Sequence, residues 1–285
     1  MTMTSSPTVG VTGATGHVGG LVARALADAG IAQRLLVRSP WNAPDLPDAE
    51  VRRVAYGEDC APALEGLDVV LMVSGAESED RVGEHRAFVD DLAEAGVQHV
   101  VYTSFCGAAP DSTFLLGRDH WATEEHLRRS GLRTTLLRDN LYLEMLPAFV
   151  ADDGALRGPA RDGRLAAVAR ADVARVATAV LLDPRRHVDR TYELTGPEAL
   201  GLEEVAATIG EVTGRDVRYV DESLEEAYAS RQAFGAPSWQ VDAWVSTYTA
   251  IAAGEMARVT DDVEQVTGRR PLSLRDVLVR SARRA

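Results

Sequence analysis

Residues 9–19 read Val-Gly-Val-Thr-Gly-Ala-Thr-Gly-His-Val-Gly, and this stretch constrains the fold more than any other. Its first four residues, 9–12, are a short apolar run of the kind that makes a buried strand. The run stops at Gly13, and from Val18 the apolar residues change period. Val18, Leu21, Val22, Ala25, Leu26 and Ala29 recur at helical spacing, and Gly30 closes the pattern. Gly13, Gly16 and Gly19 therefore fall on a strand-to-helix turn. Gly13 permits the tight turn, Gly16 lets a pyrophosphate approach the backbone, and Gly19 lets helix and strand pack closely. Main-chain N–H groups at the positive end of the helix, around Thr15, His17 and Val18, then face the phosphates. A glycine triplet alone says little. Here the strand before it, the helix after it and a second strand beyond supply the confirming context.

The alternation continues downstream. Strand-like runs at 34–37, 51–55, 69–73, 99–104 and 133–138 are interleaved with helical patterns at 59–64, 81–95, 120–130 and 141–150. The short links predict an α/β fold, a Rossmann-type doubly wound parallel sheet covered on both faces. Ligands of such a sheet lie beyond the carboxyl ends of the strands, near the point where strand order reverses. That expectation gathers Ser74, Gly75, Thr103, Ser104 and residues 139–142, with Asp139, Asn140 and Tyr142 among them. The 285 residues have room for an NADP-binding Rossmann domain at 1–152 and a smaller, mostly helical substrate-capping lobe at 153–285, with 165–195 returning to the sheet. Residues 154–163 read as a loop or short hairpin and 165–169 as a strand, with further strands at 191–195 and 217–220. Helices are expected at 170–182, 202–212, 222–234, 238–253, 261–267 and 273–283. Trp244 and Tyr248, at helical spacing, suit either core or a pocket wall, whereas His85 falls on an apolar stripe as a packed histidine.

The chain's omissions narrow its chemistry. All 30 of its Lys+Arg residues are arginine. Without lysine there is no P-loop lysine, no Schiff-base lysine and no Tyr-x-x-x-Lys pair. A net charge of −13 argues against a nucleic-acid partner, whose phosphates it would repel. No apolar run approaches the length of a membrane span, so no membrane is expected. Residues 1–7 are polar, lack the basic start and apolar middle of a signal peptide, and read as a frayed end. A cytoplasmic location follows as the expectation. Cys60 and Cys106 have neither metal-ligand nor disulfide-framework spacing, and no metal is expected. Cys106, in the loop after the fifth strand, is either a small buried thiol or a substrate contact.

Strand 34–37 ends at Arg38, nineteen residues beyond Gly19. A fold specific for NAD places Asp or Glu near this position, against the ribose 2′-hydroxyl, and no carboxylate stands there. Arginine suits the 2′-phosphate of NADP, through charge-assisted and often bidentate hydrogen bonds. The alternative is a solvated surface arginine. NADP, used as NADPH, is therefore the expected cofactor.

Residues 12–16 and Gly19 match, residue for residue, the T-G-A-T-G-x-x-G turn of extended and atypical members of the short-chain dehydrogenase/reductase superfamily. Later segments carry more specificity. Residues 99–104 (H-V-V-Y-T-S), His120 with Glu124 four residues on, and residues 136–142 (L-L-R-D-N-L-Y) resemble the NmrA-like atypical members. The likeness runs the whole length, through 169–172 (A-R-A-D), 192–195, 253–255 and 260–262. It implies that the stretch matching 138–142 and the arginine matching Arg170 border the cofactor. Asp139 departs from the family's usual neutral Asn or Pro. A carboxylate there either alters preference for substrate charge or forms a salt bridge.

The resemblance also places His120 and Glu124 where standard members have the catalytic Tyr and Lys. That Tyr protonates a developing alkoxide, and the Lys lowers its pKa. Without them, carbonyl reduction loses its acid, yet hydride transfer to a quinone or a cationic dye needs none. His120 is either a general acid near neutral pH or a helix-surface or cofactor-supporting histidine, and Tyr142 is either a second polar candidate or core. The expectation is an NADPH-dependent oxidoreductase acting on a quinone or similar electron-poor acceptor. A non-catalytic NADP-binding sensor, and a reductase dedicated to one aromatic biosynthetic intermediate, are the alternatives. The partners expected are a small aromatic or quinone-like molecule and a second copy of the chain in a homodimer.

Overall fold

A computed structural model describes residues 8–283. Residues 1–7, the stretch read as a frayed end, and 284–285 lie outside the described residues. The elements run in the order β1 (Val9–Thr12), α1 (His17–Asp28), β2 (Gln33–Val37), β3 (Ala49–Arg53), α2 (Ala61–Leu64), β4 (Val69–Met72), α3 (Arg81–Glu94), β5 (His99–Phe105), α4 (Leu115–Arg129) and β6 (Arg133–Asp139). There follow β7 (Ala155–Gly158), β8 (Arg164–Leu165), α5 (Arg170–Leu182), β9 (Arg190–Leu194), β10 (Leu200–Gly201), α6 (Leu202–Thr213) and β11 (Arg218–Asp221). The last helices are α7 (Leu224–Gln232), α8 (Ser238–Ala252), α9 (Asp262–Thr267) and α10 (Leu274–Ala282).

The main sheet has seven strands in the order β3-β2-β1-β4-β5-β6-β9. β1 pairs parallel with both β2 and β4, β2 with β3, and β4 with β5. Every residue of β1, β4 and β5 is buried, which is why these strands show no alternation of apolar and polar residues. The strand order reverses between β1 and β4, the switch point of a doubly wound sheet. The fold class is the expected one.

Two compact units interleave along the chain. The first takes residues through Ser104, then Trp121–Leu137 and Val173–Tyr192. Its core is filled by residues such as Leu64, Met72, Phe88, Leu92, Tyr102 and Leu127. The second takes Phe105–His120, Arg138–Asp172 and residues from Glu193 onward, around Phe105, Leu146, Leu156, Leu165, Ile209 and Ile251. Residues 190–194 join the main sheet as β9, whereas β8 belongs to a separate two-stranded sheet.

Four local expectations are corrected. The expected loop or hairpin at 154–163 contains β7, which pairs parallel with β11 some sixty residues later. The strand expected at 165–169 shrinks to β8, antiparallel to β10, with an isolated bridge between Val168 and Tyr142. The α-helix expected at 141–150 is a 3-10 helix, Leu143–Phe149, because Pro147 inside it has no N–H to donate to an α ladder. Helix α4 starts at Leu115, five residues before the expected position. The Leu115 N–H at its start is taken up by the Ser246 hydroxyl (3.1 Å), and tertiary bonding supports the extra turn despite Gly117.

Candidate active site

In the first unit the site begins at the turn between β1 and α1. Gly13 adopts φ +62°, a conformation that favours glycine. Its carbonyl accepts the Gly16 N–H at 2.8 Å and closes the turn. A Cβ on Gly19 would strike the carbonyl oxygens of Thr12 and Gly13, so only glycine lets α1 come this close to β1. Gly16 is the N-cap of α1. No side chain caps the helix, and its first turn holds no acidic residue. Thr15, Gly16 and His17 are exposed, whereas the Val18 side chain is buried and leaves only its main chain to a ligand. An uncapped helix start with a glycine backbone in front is a ready anion site, and it fits a pyrophosphate.

The neighbouring strand ends in a tightly held loop. The Val73 N–H donates to Thr12 Oγ1 (2.8 Å), and its carbonyl accepts from the Tyr56 hydroxyl (2.7 Å), which also lies 2.9 Å from Thr12 Oγ1. The Ser74 N–H donates to Thr103 Oγ1 (2.8 Å), which holds the loop after β4 against β5. Tyr56 was not anticipated. It follows β3 with no periodicity to mark it. At the end of β2, Arg38 is exposed and makes no hydrogen bond or ion pair among the described residues.

Ser104 and Glu124 are both buried, and the Ser104 hydroxyl donates to Glu124 Oε1 at 2.6 Å. Arg128 Nη2 donates to the other carboxylate oxygen at 2.8 Å. Glu124 thus accepts hydrogen bonds from both Ser104 and Arg128.

In the second unit, Asp139 closes β6. Its buried carboxylate accepts the Tyr142 hydroxyl at 2.6 Å. Burial, then the Asp139 charge and hydrogen bond, hold the Tyr142 phenol well above its ordinary pKa. The Arg170 guanidinium lies over the Tyr142 ring, 5.1 Å from its centroid, and the Arg170 main-chain N–H donates to the Glu144 carboxylate at 3.1 Å. Asn140 is almost fully buried, with its amide donating to Met256 O (3.0 Å) and its Oδ1 accepting the Leu141 N–H (2.8 Å). Its side chain is thus committed to the protein.

His120 is buried, its ring 6.0 Å from that of Phe105 and tilted by 32°. Cys106 is packed in the apolar core of the second unit, and burial pushes its thiol up, which is the inert reading. Tyr248 is core: its ring packs against Gly158, and Arg231 lies over it at 5.0 Å. Among the described residues no group of His, Cys, Asp or Glu could hold a metal ion, and no helix is long and apolar enough to cross a membrane.

A switch-point glycine turn on a seven-stranded doubly wound sheet defines a Rossmann-type NAD(P)-binding protein. The chain belongs to the NmrA-like family, whose model matches residues 5–266. It is 32% identical to the NAD(P)H azoreductase of Xenophilus azovorans over 91% of this chain and 92% of that protein. It is 33% identical to quinone oxidoreductase 2 of Escherichia coli, covering 82% and 84% of the two chains. The structure of Citrobacter sp. triphenylmethane reductase complexed with NADP(H) superimposes with a TM-score of 0.84 at 29% identity, over 96% of this chain and 99% of that one. With oxidoreductases of this kind related along nearly its whole length, the chain is an NAD(P)-binding oxidoreductase.

Proposed function

We propose that the chain is an NADPH-dependent reductase of quinones or similarly conjugated, electron-poor acceptors, working without a dedicated proton donor. The observation that carries the reading is the commitment of two candidate hydroxyls: Ser104 donates to Glu124 and Tyr142 to Asp139. Neither is free to protonate a developing alkoxide, and the raised pKa of Tyr142 makes it a poor acid. Acceptors whose reduced form is stable without an acid suit such a site. A quinone that gains hydride becomes a stabilised phenolate that water protonates, and a cationic triarylmethane dye is neutralised at carbon. The names of the relatives, a quinone oxidoreductase and a triphenylmethane reductase among them, support acceptors of this kind.

When bound, NADPH supplies the hydride. The chain's own part is to bind and orient. The N–H groups at Thr15, His17 and Val18 receive the pyrophosphate beside Gly13, Gly16 and Gly19, and exposed Arg38 receives the 2′-phosphate. Ser74, Gly75, Thr103 and Ser104, with Asp139, Asn140, Tyr142 and Arg170, border the rest of the cofactor. His120 is the one remaining candidate for a general acid, and the buried ring beside Phe105 favours a supporting role.

The test is NADPH oxidation with a small quinone and with a cationic triarylmethane dye, alongside NADPH binding followed by fluorescence. Binding with turnover of either acceptor is expected. Tight binding without turnover of either would replace the reductase with a sensor or a dedicated biosynthetic enzyme. Absence of binding would remove the cofactor assignment itself.

A further inference from the structure

Gly75 has both of its main-chain polar groups held by α3. Its N–H donates to His85 Nε2 at 2.9 Å, and its carbonyl accepts from Arg81 Nε at 3.1 Å. A Cβ placed on Gly75 would lie 3.1 Å from His85 Nε2 and 3.4 Å from the Tyr56 ring, so the loop is closely enclosed. His85 itself has no exposed surface. Because Nε2 accepts, the ring proton sits on Nδ1, which lies 3.0 Å from Thr123 Oγ1 on α4 and donates to it. Burial, and secondly the charge of Arg81, pull the imidazole down to about 3, so the ring stays neutral and keeps this tautomer at working pH.

The loop held in this way touches the glycine turn. A Cβ on Gly13 would stand 3.3 Å from Val73 Cβ, and β1 and β4 are the two strands at the switch point. A displaced Gly75 peptide therefore moves the wall against which the Gly13 turn is packed. A fully buried imidazole cannot reach a ligand, and its one bond to the loop acts through the backbone.

We infer that His85, as its Nδ1–H tautomer, is a positioning residue that fixes the Gly75 peptide for NADPH, through Thr123 on one side and the β4 loop on the other. This rests on the reading of Gly13, Gly16 and Gly19 as the dinucleotide site.

The test compares the full-length wild type with His85→Leu, which fills the space without an acceptor, and His85→Gln, which restores one. NADPH dissociation constants, kcat and KM for a benzoquinone, and the thermal midpoint are measured for each. His85→Leu is expected to weaken NADPH about tenfold, as one buried N–H left unpaired implies, with KM for the quinone unchanged. His85→Gln is expected to return NADPH affinity to within about threefold of wild type although both variants lose stability alike. Equal NADPH affinity in all three proteins, or losses that track the thermal midpoint without rescue by Gln, would overturn the inference and leave the cofactor site standing. Should His85→Leu fail to fold, Thr123→Val removes the acceptor of Nδ1–H instead. An affinity loss of about threefold or more supports the inference, and wild-type affinity refutes it. Failure of the wild type to bind NADPH would sink the dinucleotide site, and the role of His85 with it.

Discussion

At the scale of single residues, the site is defined by where protons and charges are held. Arg38 is exposed and unengaged at the end of β2. Arg38→Ala is expected to weaken NADPH about ten- to a hundredfold, the worth of one or two charge-assisted hydrogen bonds, and to leave NADH nearly unchanged. Paired titrations of both nucleotides check this, and an unchanged preference would return Arg38 to the solvated surface. Two buried histidines contribute to acid sensitivity. Burial lowers His85 to about 3 and His99 to about 4, against an ordinary value of 6.5. His99 Nε2 lies 2.8 Å from Thr135 Oγ1, whose own proton goes to the His187 carbonyl, so Nε2 carries the proton. Both groups take up protons more readily in the unfolded chain. Their contribution to stability is thus complete above pH 6.5 and is lost as pH falls from there toward 3 to 4. Urea midpoints are expected to drop across that window, and His99→Gln should shallow the fall. The sequence marked His85 as packed because of its helical stripe. Its bond to Gly75 stayed hidden, since no spacing encodes a contact between a loop and the helix that follows it. The Asp139–Tyr142 bond was equally illegible, because strand and 3-10 geometry between them set the distance.

At the scale of elements, the glycine turn was the most legible part, because backbone sterics alone dictate its three glycines. Gly19 illustrates this: the α1–β1 approach leaves no room for a Cβ, whatever surrounds it. Elements that depend on distant partners were less legible. β7 and β11 are short strands of one small sheet, and their parallel pairing joins segments that sequence order keeps apart. After β11 the chain enters α7 through Glu222, whose buried carboxylate accepts from Arg231 Nη1 at 2.9 Å. Arg231 also donates to the Ala227 and Arg157 carbonyls and covers the Tyr248 ring, tying α7 to β7 and α8. Removing one member of such a pair leaves a buried charge behind. Glu222→Ala is expected to cost about 3–5 kcal/mol, read from denaturant unfolding, and a cost below about 1 kcal/mol would show that water replaces the carboxylate.

At the scale of the whole molecule, the chain crosses between its two compact units five times, and neither unit is a continuous segment. The first unit needs Val173–Tyr192, because Thr135 Oγ1 donates to the His187 carbonyl (2.6 Å) and the Asp189 N–H donates to Thr134 O (2.6 Å). A fragment ending at residue 152 lacks all of this and exposes β6 as an edge. We expect such a fragment to give no cooperative thermal transition, whereas one ending at 152 that melts sharply would mark it as an autonomous domain. The same interleaving bears on how the protein emerges during synthesis. A ribosome delivers residues in order, yet the first unit's last segment leaves the exit tunnel only after most of the second unit's middle has been made. Until then the edge of β6 has no β9 to pair with, because that strand is not yet translated. Completion is therefore tied to the arrival of residues near 190, so pauses in translation before that point lengthen the interval in which chaperones must shield the growing chain.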